Sequence, residues 1–433
     1  MTNFFSILFG KLLSKFFRFL NLGSGSTWPG HIALTLNKHF IHDLLAQSKV
    51  KTILIAGTNG KTTTTALIRA GIEASGKKLI QNESGANLLN GIASTLLLNA
   101  TIAGELVYDY ALFEVDENTL PLVLQQLTPN YLVLLNLFRD QLDRYGEVNT
   151  IAHNWEETLA NLTDETTLIL NADDPQIAFL GKESNTKTVY FGLQDAQFGN
   201  HKLQHAADSV YCPNCGEKLI FDKVSFSHLG DWHCKKCGLK KPQIEKQTFV
   251  IYPLSGLYNK YNILAARLTL QQIGVAEHTI DEAFTDFTPV FGRQEIVRYK
   301  NVNVQIFLSK NPTSFNQSYQ TIQELHGYTL LLVLNDRIPD GRDISWIWDV
   351  DLPDIDKFNH ILIAGDRVYD MALRLKYALG IMNDESRIHT YKHLREAIEA
   401  GIKLVKPDET LFVLPTYSAM LGVRKIVTGK KIL

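Results

Sequence analysis

The chain has 433 residues, which is too long for one hydrophobic core and predicts two or three domains. Its 43 Lys and Arg residues nearly balance its 45 Asp and Glu residues, so the composition gives no sign of nucleic-acid binding. Hydrophobic residues make up 45%, as in a globular protein, and all four cysteines fall within one short segment. That clustering excludes disulfides elsewhere and fits a reducing cytoplasm.

Residues 1–50 are predicted to form an amphipathic helix and a helical lead-in. Lys11, Lys15 and Arg18 share one face of the predicted helix with Ser14. The segment is too charged to span a bilayer and lacks a signal-peptide cleavage site. Two interpretations are open: a basic helix lying on an anionic membrane surface, and a helix packed on the domain or on a partner protein. The apolar face contains Phe5, Leu8, Phe9, Leu12, Phe16 and Phe19.

Residues 51–65 have the sequence KTILIAGTNGKTTTT, which combines a strand, a glycine turn and a helix start. Thr52–Ala56 is typical of a buried parallel strand, and the helix opens with Lys61, Thr62 and Thr63. This context predicts a phosphate-binding loop, in which backbone N–H groups and Lys61 face an anion and the Thr62 hydroxyl lies near a nucleotide-bound Mg²⁺. Ile55 replaces the first glycine of the Walker pattern, so an ordinary tight turn is the alternative. The turn itself consists of Gly57, Thr58, Asn59 and Gly60.

Strands alternate with helices up to about residue 191, which predicts an α/β fold with a mostly parallel sheet and helices on both faces. Ligands of such sheets bind beyond the carboxyl ends of the strands. There Glu114 and Asp116 point to one side, and we expect one of them to bind Mg²⁺; solvated surface charge is the alternative. Two more polar stretches follow strands, NLFRDQLDR at 136–144 and NADDP at 171–175. The predicted strands are Thr52–Ala56, Leu79–Gln81, Ala111–Val115, Tyr131–Leu135, Thr167–Leu170 and Thr188–Phe191.

Two CxxCG motifs interrupt the α/β pattern. Their separation is typical of a four-thiolate zinc ribbon, and the glycine after each pair permits a left-handed turn that directs N–H groups toward sulfur. We therefore predict a structural Zn²⁺ site in an insertion at residues 205–242, with a redox dithiol pair as the alternative. His228 and His233 lie nearby, but four thiolates already complete the coordination shell. The predicted ligands are Cys212, Cys215, Cys234 and Cys237.

The segment YNKYNILAA at 258–266 places Asn259 and Asn262 one helical turn apart. Amides suit the edge of a purine base, whereas helix capping by Asn259 is an equally good explanation of this stretch alone. The turn around Arg293 predicts a boundary between a first domain at residues 51–290 and a second at residues 291–433.

The second domain is also predicted to be a Rossmann-like α/β unit. Between two of its strands lies DGRDISWIWD at 340–349, which combines acidic residues, an arginine and two tryptophans in a predicted exposed loop. Such a mixture is typical of contact with a partner or a ligand. The predicted strands are Val304–Leu308, Thr329–Leu334, His360–Ala364 and Thr410–Leu414.

Five segments together resemble the Mur ligase superfamily in order and spacing: GTNGKTTT at 57–64, NLFRDQLDR, NADDP, YNKYNILAA and FGR at 291–293. These ATP-dependent ligases join amines to carboxylates in cell-wall or folate precursors. The CxxC pairs, EVDE at 114–117, FRDQLDR and DGRDISWIWD are similar to one branch, the MurT-type subunits of lipid II isoglutaminyl synthase. The segment before the phosphate loop is too short for a UDP-sugar-binding domain, so we expect a lipid-linked acceptor. Gln141 stands where many Mur ligases place a metal-binding histidine, so the binding of a second Mg²⁺ is left open.

The resemblance implies ATP-dependent amidation of the D-glutamate α-carboxylate of lipid II to D-isoglutamine through an acyl phosphate. It implies that Lys61 holds the β- and γ-phosphates and that Thr62 and Glu114 hold Mg²⁺. Three further residues are implied to surround the nucleotide, two at the adenine and one approaching from the side: Asn259, Asn262 and Arg293.

A separate glutaminase is implied, because all four cysteines are assigned to zinc and none is left to attack glutamine. In the resembled family it is a GatD-type amidotransferase, and the last aspartate of the DGRDxSWxxD motif, here Asp349, assists the partner's Cys–His pair. Asp343 and Asp351 are the alternatives. Two other functions are open: a stand-alone folylpolyglutamate- or UDP-muramyl-type ligase, and a nucleotide-binding scaffold without chemistry. We expect a cytoplasmic protein, at the inner face of the cell membrane if the N-terminal helix binds lipid.

Overall fold

A computed structural model describes residues 2–19, 27–82, 85–140, 148–194, 203–204, 207–246, 250–289, 292–379 and 387–429. Residues 141–144 of the NLFRDQLDR motif, which include Gln141, lie outside this set, and so does Phe291 of the FGR motif. Among the side chains of the N-terminal helix that also lie outside it are Lys15, Phe16, Arg18 and Phe19.

The first domain is built on a six-stranded sheet in which every neighbouring pair is parallel. The strand order is β2-β3-β1-β4-β5-β6. The prediction of a parallel sheet is therefore confirmed, and the predicted strands agree with the observed ones to within one residue at each end. The strands are β1 Lys51–Ala56, β2 Leu79–Gln81, β3 Tyr110–Val115, β4 Tyr131–Leu134, β5 Thr167–Asn171 and β6 Lys187–Phe191.

Helices cover both faces of this sheet and bury its apolar residues in two separate clusters, one on each face. Successive side chains of β1 point to opposite faces, so Leu54 joins one cluster and Ile53 and Ile55 join the other. The helices are α1 Thr2–Phe19, α2 Trp28–Leu36, α3 Phe40–Ala46, α4 Lys61–Ala74, α5 Leu89–Asn99, α6 Leu120–Leu124, α7 Val148–Leu159, α8 Pro175–Glu183, α9 Leu257–Gln272 and α10 Glu277–Thr285.

A two-stranded antiparallel hairpin, β7 Ile220–Phe226 and β8 Leu229–His233, interrupts the first domain and carries the cysteines on its flanks. It packs on the end of the parallel sheet, where the Trp232 indole donates to the carbonyl of Ala172 over 3.1 Å.

The second domain contains another six-stranded sheet, in the order β13-β12-β11-β14-β10-β9. All its pairs are parallel except the β9–β10 hairpin, whose turn residues Lys300 and Asn301 both have positive φ. The four predicted strands are present, whereas β9 and β13 were not predicted. The strands are β9 Arg293–Tyr299, β10 Val302–Phe307, β11 Thr329–Val333, β12 His360–Ala364, β13 Ile388–Thr390 and β14 Thr410–Pro415, and the helices are α11 Pro312–Glu324, α12 Val368–Leu379, α13 Leu394–Leu404 and α14 Tyr417–Thr428.

The N-terminal helix α1 packs on α2 and α5. Ile7 and Ser14 are buried, and the Lys11 ammonium donates to the carbonyl of Ala100. Among the described residues, no helix is both long enough and apolar enough to cross a bilayer.

Candidate active site

The loop between β1 and α4 lies at the centre of the sheet, because β1 is flanked by β3 and β4. Gly57 and Gly60 have φ values of 139° and 93°, which favour glycine. At Gly60 a Cβ atom would also lie 2.1 Å from Oδ1 of Asn262. The chain after β4 holds the loop in place: the N–H groups of Thr58 and Asn59 donate to the backbone and side-chain oxygens of Asn136, over 3.0 and 2.9 Å.

Lys61, the first residue of α4, is buried and paired. Its ammonium donates to the carbonyls of Gly57 and Thr58 and lies 3.0 Å from Oε2 of Glu117. Burial on its own raises the pKa of Glu117, but the positive charges of Lys61 and Lys310 outweigh it and hold that pKa below its usual value. The loop therefore carries a buried lysine–glutamate ion pair.

Thr62 and Glu114 form the second polar pair at this loop. The Thr62 hydroxyl donates to Oε2 of Glu114 over 2.9 Å, since the end of β3 lies beside the start of α4. Burial raises the pKa of Glu114, with Arg293 and Thr62 acting in the opposite direction. Asp116 instead accepts the N–H of Asn118 in the turn after the strand. The two carboxylates expected to share one side therefore have separate environments.

The second domain approaches this loop through the segment that follows β10. The Asn311 amide donates to Oδ1 of Asn59 over 3.2 Å, and the Lys310 ammonium forms an ion pair with Asp140. Burial lowers the pKa of Lys310, but the carboxylates of Asp140 and Glu117 reverse the effect and raise it. Burial also raises the pKa of Asp140, against the pull of Lys310. Four charged groups, each following the end of a different strand, thus meet where the domains touch: Lys61, Glu117, Asp140 and Lys310.

A cavity open to solvent lies between the phosphate loop and the second domain. Asn262 and Arg293 line it, whereas Asn259 lies behind Asn262 and accepts its amide proton over 3.2 Å. The aromatic residues that border the cavity are Phe138, Phe226, Tyr258, Tyr261 and Phe307.

The NADDP segment braces this region. Asp174 caps α8 by accepting the N–H groups of Gln176 and Ile177, and its other oxygen accepts the N–H of Leu137. Asp173 accepts the Tyr261 hydroxyl over 2.6 Å. The two carboxylates therefore tie α8, the loop after β4 and α9 together.

Arg139 joins the first domain to the DGRDISWIWD segment. Its guanidinium pairs with the carboxylate of Asp208 at 2.5 Å and lies 3.5 Å from Oδ2 of Asp349. The Asp349 side chain is 46% exposed, at the end of a 3₁₀ helix, Ser345–Asp349. The alternatives are engaged elsewhere: Asp343 accepts the N–H of Ser345, and Asp351 lies 3.4 Å from the Asn316 amide.

The four cysteines converge as the spacing predicts, with their Sγ atoms all within 4.8 Å of one another. Gly216 and Gly238 have φ values of 72° and 74°, and each donates its N–H to the carbonyl of the first cysteine of its motif. His228 and His233 are outside this cluster: the first lies beside Asp174 and the second beside Asp222. Within the described residues, this is the one cluster of metal-ligating side chains that meets the spacing of a metal site.

Sequence reasoning missed three charged residues of the site, Glu117, Asp140 and Lys310. Each follows a strand end by a few residues, so the carboxyl edge of the sheet was the available signal. The pairing of Lys310 with Asp140 depends on how the two domains meet, which the sequence pattern does not contain, whereas Glu117 pairs with Lys61 within the first domain.

Two family models match the chain: the Mur ligase middle domain over residues 55–270 and the MurT ligase C-terminal domain over residues 308–420. The lipid II isoglutaminyl synthase subunit MurT of Staphylococcus aureus is 35% identical over 82% of this chain and 83% of the relative. The Streptococcus pneumoniae subunit of the same name is 30% identical over 97% and 96%.

Solved structures show the same fold at lower identity. A pseudomurein peptide ligase type C from Methanothermus fervidus has a TM-score of 0.66 at 22% identity, covering 89% of this chain and 80% of the other. MurF from Acinetobacter baumannii has a TM-score of 0.63 at 16% identity, covering 92% and 79%. With its phosphate loop, its two α/β domains and these relatives, the chain belongs to the MurT family of the Mur ligase superfamily.

Proposed function

We propose that this chain is the ligase subunit of a glutamine-dependent complex that converts the D-glutamate α-carboxylate of lipid II to D-isoglutamine, using ATP. Residues 51–290 and 291–433 are the two domains that form the ligase. The observation that carries the proposal is a cleft bordered by three polar pairs: Lys61 with Glu117, Thr62 with Glu114, and Lys310 with Asp140. Its relatives from Staphylococcus aureus and Streptococcus pneumoniae are named as subunits of such a synthase.

ATP fits the loop and the adjoining cavity. Two buried amide donors on the cavity wall, Nδ2 of Asn59 and Nε2 of Gln317, have no hydrogen-bond partner among the described residues. The backbone N–H groups of the loop and the Lys61 ammonium would hold the phosphates, with the base toward Asn262 and Arg293 at the aromatic wall. Asn259 would act behind Asn262.

Mg²⁺ would be held by the Thr62 hydroxyl and the Glu114 carboxylate, both hard oxygen donors. When bound, Mg²⁺ supplies positive charge that stabilises the negative charge on the phosphate oxygens. The donor set suits this ion because Mg²⁺ typically takes one or two protein oxygens and completes its shell with phosphate and water.

The reaction needs an activated carboxylate, because a carboxylate is a poor electrophile. An oxygen of the acceptor carboxylate attacks the γ-phosphorus, ADP leaves, and an acyl phosphate results. Ammonia then forms the C–N bond and inorganic phosphate departs. The charges of Arg139 and Lys310 border the cleft where the acceptor carboxylate would lie. Asp140 is suited to accept the proton from the attacking ammonia, since its Oδ1 has no partner within the described structure and burial raises its pKa.

Ammonia would come from a GatD-type glutaminase docked beside Asp349. The surface there is aromatic: Trp348 is 49% exposed, and its ring centroid lies 5.8 Å from that of Tyr377. Tyr369 and Leu373 continue this surface along α12 and are also exposed. Such residues are enriched at protein interfaces. Asp349 would then orient the histidine of the partner's Cys–His pair.

The cysteine cluster would bind a structural Zn²⁺. Tetrahedral coordination with Zn–S bonds of about 2.3 Å requires sulfur atoms roughly 3.8 Å apart. The Cys212–Cys237 and Cys215–Cys234 sulfur pairs are 3.6 Å apart, close to that requirement. Four thiolates leave no open position, so we assign the ion a structural role.

The test is to incubate the chain with its glutaminase, lipid II, glutamine, ATP and Mg²⁺. We expect the mass change of a carboxyl group converted to a carboxamide. Unchanged lipid II alongside active glutamine hydrolysis would refute the proposal. Phosphate release driven by an amino acid without glutaminase would favour a stand-alone ligase, and nucleotide binding without phosphate release would favour a scaffold.

A further inference from the structure

Helix α1 is fixed to the first domain by one of its faces. Ile7 is fully buried, and a Cβ atom on Gly10 would lie 2.7 Å from Leu97 of α5, so the helices are in close contact. Ser14 is buried on the same side, and Lys11 bonds to the carbonyl of Ala100. The orientation of the opposite face is therefore set by packing.

That opposite face is apolar and exposed. Phe5, Leu8, Phe9 and Leu12 follow the i, i+3, i+4, i+7 spacing of one helical face, and they are 65%, 37%, 55% and 57% exposed. Ile102, 53% exposed, lies in the loop that Lys11 contacts. An apolar patch of this kind on a globular protein marks an interaction surface.

The charge of the surrounding segment favours an anionic partner. The first 42 residues contain three lysines and one arginine and no aspartate or glutamate, a formal charge of +4 from these residues. Two copies of the chain joined through this face would bring two such segments together, so the charge opposes a homodimer. A helix that exposes an apolar face and whose charged residues are all basic is typical of helices that lie in the interface of an anionic membrane.

We propose that the exposed face of α1 inserts into the headgroup region of an anionic lipid surface and holds the chain there as a peripheral protein. The helix lies on the surface and does not span it, in agreement with the lack of a spanning helix among the described residues. The purpose of this contact rests on the proposed function, because a lipid-linked acceptor is presented at a membrane. The binding itself does not depend on that function.

Vesicle flotation of the full chain tests the proposal, with phosphatidylglycerol-containing vesicles compared with pure phosphatidylcholine vesicles. We expect the wild-type chain to float with the anionic vesicles and to partition at least tenfold more weakly onto neutral ones. Phe9→Glu combined with Leu12→Glu should lower anionic-vesicle binding at least tenfold. Phe5→Ser combined with Phe9→Ser should lower it in the same direction without adding negative charge.

The matched control is Leu122→Glu on α6, where the side chain is 49% exposed on another part of the same domain. This variant should float like the wild type. Equal binding to both vesicle types, or full binding by both double variants, would overturn the proposal. If the wild-type chain forms a dimer without lipid and the double variants are monomeric, the exposed face of α1 binds a second copy of the chain instead. If the wild-type chain amidates lipid II in detergent but does not bind vesicles, only the membrane proposal is rejected. If it binds vesicles but does not amidate lipid II, only the proposed function is rejected.

Discussion

At the scale of single residues, the acidic segment Glu114-Val115-Asp116-Glu117 shows where sequence reasoning succeeds and where it ends. Alternation along β3 correctly directs Glu114 to the phosphate loop, where it meets Thr62. The strand ends at Val115, so the period of two no longer applies to the residues that follow. The turn instead brings Glu117 to Lys61, a pairing that alternation could not predict.

Removal of Lys61 should separate catalysis from stability. We expect Lys61→Ala to lower ATP-dependent amidation by at least about 100-fold, because a charge that stabilises the transferring phosphate is lost. It should also lower the free energy of unfolding by about 3–5 kcal/mol, because Glu117 stays buried without its counter-ion. Phosphate release and denaturant unfolding measure the two effects.

The matched control for that variant is Lys61→Ala combined with Glu117→Gln, which removes both charges. This double variant should regain most of the lost stability but none of the activity. Recovery of amidation in the double variant would mean that Lys61 serves only to neutralise Glu117.

The raised pKa of Glu114 predicts a proton-linked nucleotide affinity. A buried carboxyl must lose its proton to bind Mg²⁺, so Mg·ATP affinity should rise with pH through the raised pKa and binding should release protons below it. Calorimetry in buffers of different ionisation enthalpy counts these protons. Glu114→Gln should bind more weakly and without this proton release, whereas the exposed Glu105→Gln should behave like the wild type. Undiminished proton release on Mg·ATP binding to Glu114→Gln would show that Glu114 is not the proton-linked Mg²⁺ ligand.

At the scale of elements, apolar β-branched runs bounded by turn residues predicted the central strands of both sheets. The two unpredicted strands lie at the edges of the second sheet, where burial is partial and the pattern is weak: β13 has three residues, and β9 alternates with polar positions. The CxxCG spacing predicted that the cysteines meet, because both turns are fixed by local glycines. Nothing local predicted that the hairpin would pack against Ala172.

The insertion should contain one zinc ion per chain. Metal analysis by mass spectrometry should detect it, and Cys215→Ser should lose it. Because Asp208, within the insertion, pairs with Arg139, we also expect this variant to amidate lipid II more slowly. His233→Ala, outside the cysteine cluster, should retain both metal and activity. Far less than one zinc in the purified wild-type chain would contradict the assignment.

At the scale of the whole molecule, part of the site forms only where the two domains meet. Lys310 and Asp140 are 170 positions apart in the sequence, and Asn311 and Asn59 are 252 apart. Periodicity and turn chemistry are local signals, so neither could have placed these pairs. The resemblance supplied the order of the motifs and the role expected of Asp349, but not its contact with Arg139 across the cleft.

The exposed position of Asp349 predicts that its effect appears only in the complex. Asp349→Asn should abolish most glutamine hydrolysis by the assembled enzyme but leave amidation with added ammonium salts close to wild type, because the ligase cleft keeps its charged groups. Asp343→Asn serves as the comparison, since that carboxylate accepts the N–H of Ser345 over 2.8 Å. Normal glutaminase activity in the Asp349 variant would mean that another residue orients the histidine of the partner's Cys–His pair.

Transfer of the γ-phosphoryl group to the acceptor carboxylate is the central step of the proposed reaction. Lipid II labelled with ¹⁸O in the D-glutamate α-carboxylate tests this step when it is amidated by the complete complex with ATP and glutamine. We predict that each amide formed places one labelled oxygen in the released inorganic phosphate. Amidated product accompanied by unlabelled phosphate would contradict the mechanism proposed for this cleft.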